Sequence, residues 1–78
     1  MLYFVKMNSI WWPAKSSERF IPSRTTEIVR LTLLDDDESE LAISCSQVKE
    51  FKPYTRIPGK RSADWKRAYE RALKFDSS

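Results

Sequence analysis

The sequence has no histidine and a single cysteine, Cys45, among its 78 residues. Four-ligand zinc sites made of cysteine and histidine are therefore excluded, and so are catalytic triads that use a histidine base. One cysteine cannot form an internal disulfide, which fits a reducing compartment. We expect Cys45 to be a small buried apolar side chain.

Other features that the sequence lacks exclude further classes of protein and of site. No apolar run approaches the length of a membrane span, and no basic segment followed by an apolar stretch opens the chain. We therefore expect a soluble protein that is not secreted and has no membrane partner. Gly59 is the only glycine, so a glycine-rich phosphate loop is excluded. The acidic residues cluster in a predicted turn where water hydrates them, whereas general acid–base catalysis needs carboxyl groups whose pKa values are shifted by burial. We therefore expect a binding protein and not an enzyme, and we expect no cofactor or metal.

The chain is rich in aromatic residues, with three Trp, four Phe and three Tyr. A chain of this length forms one domain at most, so we treat residues 1–78 as a single domain. Trp11, Trp12 and Pro13 form its rarest stretch. Neighbouring residues of a strand point to opposite faces, so one indole should anchor the core and the other should line an exposed groove. Pro13 lacks an N–H and predicts a sheet edge, bulge or bend.

Alternating apolar residues and turn signals predict four or five short antiparallel strands, including residues 2–7, 12–15, 27–34 and 41–45. Residues 16–26 should form a loop whose Phe20 and Ile21 contact the core edge. Val48 and Phe51 predict a helical turn before a short last strand. Such strands favour a small barrel over residues 1–54, with a linker over 55–61. Ser62 should cap an amphipathic helix over residues 62–75, whose apolar positions are Trp65, Ala68, Tyr69, Ala72 and Leu73.

Charge is distributed unevenly. Residues 49–74 contain nine basic and three acidic side chains, whereas residues 1–48 contain five basic and seven acidic ones. A basic C-terminal third predicts a polyanionic partner, although an ordinary solvated face has the same composition. No part of the sequence resembles an element that reads base edges in the major groove. If the polyanion is DNA, we therefore expect the contacts to be with its phosphates. The candidate DNA-binding residues are Lys52, Lys60, Arg61, Lys66, Arg67, Arg71 and Lys74.

Residues 35–40 form a dense acidic run between two predicted strands. One interpretation is a solvated hairpin turn. The other is a docking edge for a basic tail, or a charge that prevents self-association.

The sequence KMNSIWWPAK, residues 6–15, resembles the opening of PWWP domains, which have a short first strand, an arch and a Pro-Trp-Trp-Pro motif. Residues 29–35 resemble the third strand of that family, residues 48–54 its last strand, and residues 65–73 its C-terminal helix. The resemblance implies a mainly β fold, namely a five-stranded antiparallel Tudor-like barrel followed by a C-terminal α-helix. Family members are chromatin proteins that hold a methylated lysine of a histone tail in an aromatic cage and lay a basic surface on DNA.

The positions that form the family's cage correspond here to Ser9 or Ile10, to Trp12 and to Leu33. A quaternary ammonium is attracted to the faces of aromatic rings, and aliphatic walls lack that attraction. We therefore predict a degenerate cage at Ile10, Trp12 and Leu33, unless Tyr3, Phe4 or Phe20 supplies a ring from elsewhere. Trp12 could equally be a packing residue.

Two hypotheses of function follow. The first is a nuclear, chromatin-associated module that binds DNA without sequence specificity, with a histone tail, a nucleosome or other subunits of a nuclear complex as further partners. The second is a protein–protein interaction module that uses the barrel groove around Trp12, without DNA or methyl-lysine. A third hypothesis is that the acidic turn binds a basic histone tail beside the DNA-binding surface.

Overall fold

The computed structural model describes residues 1–57 and 59–77. Pro58 of the expected linker, and Ser78, lie outside the described residues. The elements are β1 (Leu2–Met7), β2 (Ile10–Lys15), β3 (Ile28–Leu33), β4 (Glu40–Ser44), a 3₁₀ turn (Cys45–Gln47), β5 (Val48–Glu50) and α1 (Ala63–Ser77). The mainly β composition with a C-terminal helix is as predicted.

The five strands form one antiparallel sheet in the order β4-β3-β2-β1-β5. Within residues 1–57 and 59–77 no ladder joins β4 to β5, so the sheet is open and the predicted closure into a barrel is not shown. The two edge strands are nevertheless separated by only the three residues of the 3₁₀ turn. The sheet must therefore curl enough to bring its edges close together at that point.

The β1–β2 hairpin has a two-residue turn formed by Asn8 and Ser9, whose φ angles are 50° and 65°. Two positive φ angles in succession are typical of the tight turn that matches the twist of a hairpin. The turn is compact because Met7 pairs directly with Ile10, so β2 begins at Ile10 and not at Trp12 as predicted.

Strand β2 pairs with β3 only through Ala14 with Leu33 and Lys15 with Thr32. Pro13 lies just beyond this short ladder, and its carbonyl oxygen accepts a hydrogen bond of 3.4 Å from the Leu34 N–H. The predicted sheet edge is wrong, because β2 lies between β1 and β3 and Pro13 pairs with Phe4. The missing N–H of Pro13 is tolerated since it falls where β3 has ended.

Helix α1 covers this part of the sheet. Trp65, Ala68, Tyr69 and Ala72 are buried as the helical spacing predicted, and Leu73 is half-buried. The Trp65 indole Nε1–H donates to the Trp11 carbonyl oxygen at 2.9 Å. Ser62 caps the helix, because its Oγ accepts a hydrogen bond of 3.2 Å from the Trp65 N–H. The rings of Phe4, Phe51, Tyr54 and Tyr69 complete this side of the core.

Several expectations about single residues need correction. Trp11 and Trp12 are both half-buried, so the core anchor among the tryptophans is Trp65, which is 1% exposed. Ile21 is exposed, while Phe20 stacks on Tyr3 at 4.3 Å as expected at the core edge. The spacing of Val48 and Phe51 does not mark a helical turn; the turn precedes them and Val48 begins β5.

Candidate functional site

The three residues at the cage positions lie on one side of the sheet. Ile10 and Trp12 alternate along β2, and Leu33 pairs with the next residue of that face, Ala14. Leu33 is only 8% exposed and belongs to the core, whereas Ile10 and Trp12 are half-buried. A ligand at this surface would therefore meet one aromatic ring and one aliphatic side chain.

No other aromatic residue makes a ring contact with Trp12 within the part of the chain that the structure describes. Tyr3 and Phe20 stack on one another, and Phe4 packs against Phe51 and Tyr54. These are the residues that could have supplied a further wall, and each is engaged elsewhere. The single ring at Trp12 fits a degenerate cage.

The candidate DNA-binding residues separate into two groups. Arg67 and Arg71 turn toward the β3–β4 connection and contact Asp36. The Arg67 Nη2–Asp36 Oδ2 distance is 3.2 Å, and the Arg71 Nη2–Asp36 Oδ1 distance is 2.6 Å. Arg67 also pairs with Asp64, and Arg71 Nη1 donates to the Leu34 carbonyl oxygen at 3.1 Å. Both guanidinium groups are thus occupied by the chain itself.

The acidic run is an exposed turn whose ends are fixed internally. The Asp35 carboxylate accepts hydrogen bonds from the Ser39 N–H at 3.1 Å and the Ser39 hydroxyl at 3.2 Å. Glu38 has a φ angle of 49°, and Lys15 Nζ lies 3.6 Å from its carboxylate. The turn is solvated, as one interpretation held, but through Asp36 it also serves as a docking edge for helix α1 of the same chain.

The hydrogen bond from Arg71, with the positive charge of Arg67, lowers the pKa of Asp36 below its ordinary value of 3.8. A carboxyl group whose pKa is lowered by folding stabilises the folded state above its ordinary pKa, and that stabilisation is lost as the pH falls through the lowered value.

We therefore expect Asp36→Asn to lower the midpoint of urea unfolding at neutral pH. The difference from the unmutated chain should shrink at a pH well below 3.8, where Asp36 is protonated in both states. Asp37→Asn is the matched control, because Asp37 is exposed in the same turn and makes no ion pair with a described residue. Equal effects of the two substitutions at neutral pH would contradict a specific role for Asp36.

The second group of candidate cations consists of exposed lysines. None of them forms an ion pair with an acidic residue in ranges 1–57 and 59–77; they are Lys52, Lys60, Lys66 and Lys74. Lys66 and Lys74 lie on the outer part of α1 with Glu70 between them, four residues from each. The buried face of the helix points toward the sheet, so these ammonium groups face solvent.

Arg61 belongs to neither group. Its guanidinium carbon lies 5.5 Å from the centroid of the Trp65 ring, and its Nη1 donates to the Lys60 carbonyl oxygen at 3.3 Å. Stacking on a core indole fixes the side chain at the start of the helix.

Sequence reasoning missed one cation near the tryptophan pair. Lys49 Nζ lies 4.4 Å from the centroid of the Trp11 ring and 5.6 Å from that of Phe4. The β1–β5 register pairs Lys49 with Phe4, which places both side chains on one face. The sequence contained no signal for this contact, since the pairing of β5 with β1 is a long-range event. The face of Trp11 is therefore occupied by a lysine of the same chain.

The structure also shows a groove of about 880 Å³ that none of the candidate site residues lines. It lies between the start of β1, strand β5, the loop of residues 19–24 and the end of α1. Its volume is in the range of sites that hold ligands in proteins.

The chain matches no protein-family model, no curated protein and no solved structure. Within the described residues there is no group of three or more Cys, Asp or Glu side chains that could hold a metal ion. The same residues include no helix of the length and apolarity that crossing a membrane requires.

Proposed function

We propose that this chain is a chromatin-associated module of Tudor-like, PWWP type that binds the phosphate backbone of DNA without reading its sequence. Supporting features of the fold are the strand order, the short turn between β4 and β5, and a C-terminal helix docked on the Trp11-Trp12 strand. A nuclear location is part of the proposal.

One observation carries the DNA-binding proposal, namely the set of solvent-facing lysines on the linker and helix α1 that have no acidic partner among the described residues. Lys60, Lys66 and Lys74 present exposed ammonium groups along one stretch of chain, and the exposed Lys52 adds another earlier in the sequence. Lysines contact phosphates as point charges, so such a surface suits a duplex of any sequence. Arg67 and Arg71 contribute less, because Asp36 already neutralises part of their charge.

The test is a fluorescence-anisotropy titration of the chain with a short duplex at several salt concentrations. If three to four lysines neutralise phosphates, the logarithm of the affinity should fall with the logarithm of salt concentration with a slope of roughly −3. Two duplexes of unrelated sequence should bind equally. A slope near zero, or a strong preference for one duplex, would contradict the proposal.

A degenerate cage at Ile10, Trp12 and Leu33 is also part of this proposal. With one aromatic ring at the site, a histone-tail peptide should bind with similar affinity whether its lysine is trimethylated or unmodified.

A second function, protein–protein interaction, is supported by the half-buried indole of Trp12, with which no other aromatic ring of the described residues makes contact. Exposed tryptophan is a frequent anchor of protein interfaces. Under this hypothesis Trp12→Ala abolishes partner binding, whereas substitution of the helix lysines leaves it unchanged.

A further inference from the structure

One wall of the 880 Å³ groove is an irregular loop that the core holds in place. The Tyr3 hydroxyl donates to the Phe20 carbonyl oxygen at 2.7 Å and accepts from the Phe20 N–H at 3.0 Å. Farther along, Cys45 Sγ accepts a hydrogen bond of 3.3 Å from the Ser23 N–H. A long loop without secondary structure that is fixed at two buried side chains forms a largely pre-organised surface.

Ile21 lies between these two attachment points and is 87% exposed. Because Phe20 and Ser23 are both bonded to the core, the backbone holds the Ile21 side chain out toward water. The half-buried ring of Phe20 and the ring of Phe75, which is 51% exposed, line the same groove. The lining of the groove therefore includes an exposed aliphatic side chain and two rings, of which that of Phe75 has Lys15 Nζ 5.4 Å from its centroid. Exposed apolar side chains gathered in a groove are typical of a binding surface.

Basic side chains line the same groove. Arg19 and Arg24 flank Ile21 in the loop, are exposed, and form no ion pair with a carboxylate of the described chain. Lys15 and Lys49 also line the groove, but Lys15 is paired with Glu38 and Lys49 lies over Trp11. The acidic side chains of the lining are Glu50 and Asp76. A groove that has both an excess of positive charge and apolar side chains is complementary to a ligand that combines carboxylates with an apolar group.

The lining of the groove also includes the edge strand β5, which pairs with β1 on one side and with no other strand of residues 1–57 and 59–77. An edge strand offers backbone hydrogen-bonding groups to an added strand. Peptides bound in this way are extended and place alternate side chains in pockets.

We propose that this groove binds an extended acidic peptide that carries an apolar residue between carboxylates. The apolar side chain packs on Ile21 and Phe20, the carboxylates pair with Arg19 and Arg24, and the peptide backbone follows β5. This site uses none of the lysines assigned to DNA, so it stands independently of the DNA-binding proposal.

The experiment is an NMR titration of the ¹⁵N-labelled chain with a synthetic peptide of glutamates around a central leucine. A peptide with lysine at every glutamate position is the charge control. We expect saturable shifts confined to residues 19–24 and 48–51 with the acidic peptide and none with the basic one.

Substitutions then assign the contacts. Arg19→Glu with Arg24→Glu should weaken peptide binding at least about tenfold, whereas Arg30→Glu, an exposed arginine outside the groove, should change it less than about twofold. Ile21→Ser should weaken binding severalfold, and Ile28→Ser, which is also exposed but lies outside the groove, should not. All these side chains are exposed, so the fold should survive, which the amide spectrum of each variant reports.

The remaining outcomes overturn the proposal. They are absence of saturable binding, equal binding of the basic peptide, shifts centred on the helix lysines, and loss of affinity in the Arg30 and Ile28 controls equal to that in the groove variants. Concentration-dependent shifts of residues 19–24 without peptide would assign the groove to a second copy of the chain. Shifts of those residues on addition of duplex DNA would assign it to nucleic acid instead.

Discussion

Trp65→Ala is expected to lower the free energy of unfolding by about 3–5 kcal/mol, the usual cost of removing a buried large aromatic side chain. Trp65 is 1% exposed, stacks on Tyr69 at a centroid distance of 5.1 Å, and contacts Tyr54 at 6.3 Å. Its indole N–H also satisfies the Trp11 carbonyl oxygen, which the substitution would leave without this donor. Small domains have total stabilities of roughly 5–10 kcal/mol, so the substitution should remove about a third or more of the stability and lower the unfolding midpoint markedly.

Circular dichroism during urea unfolding measures this effect, and Trp65→Phe separates its two causes. Phenylalanine restores most of the ring volume but not the N–H, so it should cost about 1–3 kcal/mol. Trp11→Ala and Trp12→Ala should each cost less than Trp65→Ala, because both indoles are only half-buried. A larger loss in either of these variants would show that the paired indoles, and not Trp65, hold helix α1 on the sheet.

Lys60→Glu combined with Lys66→Glu is expected to reduce the affinity for duplex DNA by roughly ten- to a hundredfold at low salt. Both lysines are exposed and without acidic partners among the described residues, so each loses a phosphate contact and gains a repulsive charge. The slope of the logarithm of affinity against the logarithm of salt concentration should become less steep by roughly 2, because about two phosphate contacts are lost. Anisotropy titrations of the two proteins over the same salt series measure both effects.

The matched control is Lys6→Glu with Arg30→Glu, which produces the same change in net charge on exposed residues outside α1, its linker and the groove. If the control weakens DNA binding as much as the lysine variant, binding follows net charge and the assigned surface is wrong. Arg67→Ala should weaken DNA binding less than Lys66→Ala, since Arg67 is already paired with Asp36 and Asp64. The reverse order would show that DNA displaces Asp36 from the arginines.

Helix α1 shows how much of the structure local sequence patterns can predict. The spacing from Trp65 to Leu73 and the serine before it predicted both the buried face and the cap. Those features depend on residues three or four positions apart, which the sequence displays directly. The same periodicity treated Arg67 and Arg71 as free cations, because it contains no information about Asp36, which lies more than thirty residues earlier in the chain.

The groove of residues 19–24 and β5 shows what local sequence patterns cannot predict. The prediction placed Ile21 on the core edge because large apolar residues tend to be buried, yet hydrogen bonds to Tyr3 and Cys45 hold the loop so that Ile21 is exposed. The contact of Lys49 with Trp11 likewise required the pairing of β5 with β1. Neither feature has a local signature.

The sequence by itself determined the strand content, the amphipathic helix with its cap, the burial of Cys45, and the limits that the absence of histidine places on the chemistry. These properties follow from composition and from residues close together in the chain. Tertiary structure alone decided that the sheet is open, that Asp36 occupies two arginines, and that a basic groove lies away from Trp12. Those properties depend on strand register and on contacts between distant segments, which only the folded chain brings together.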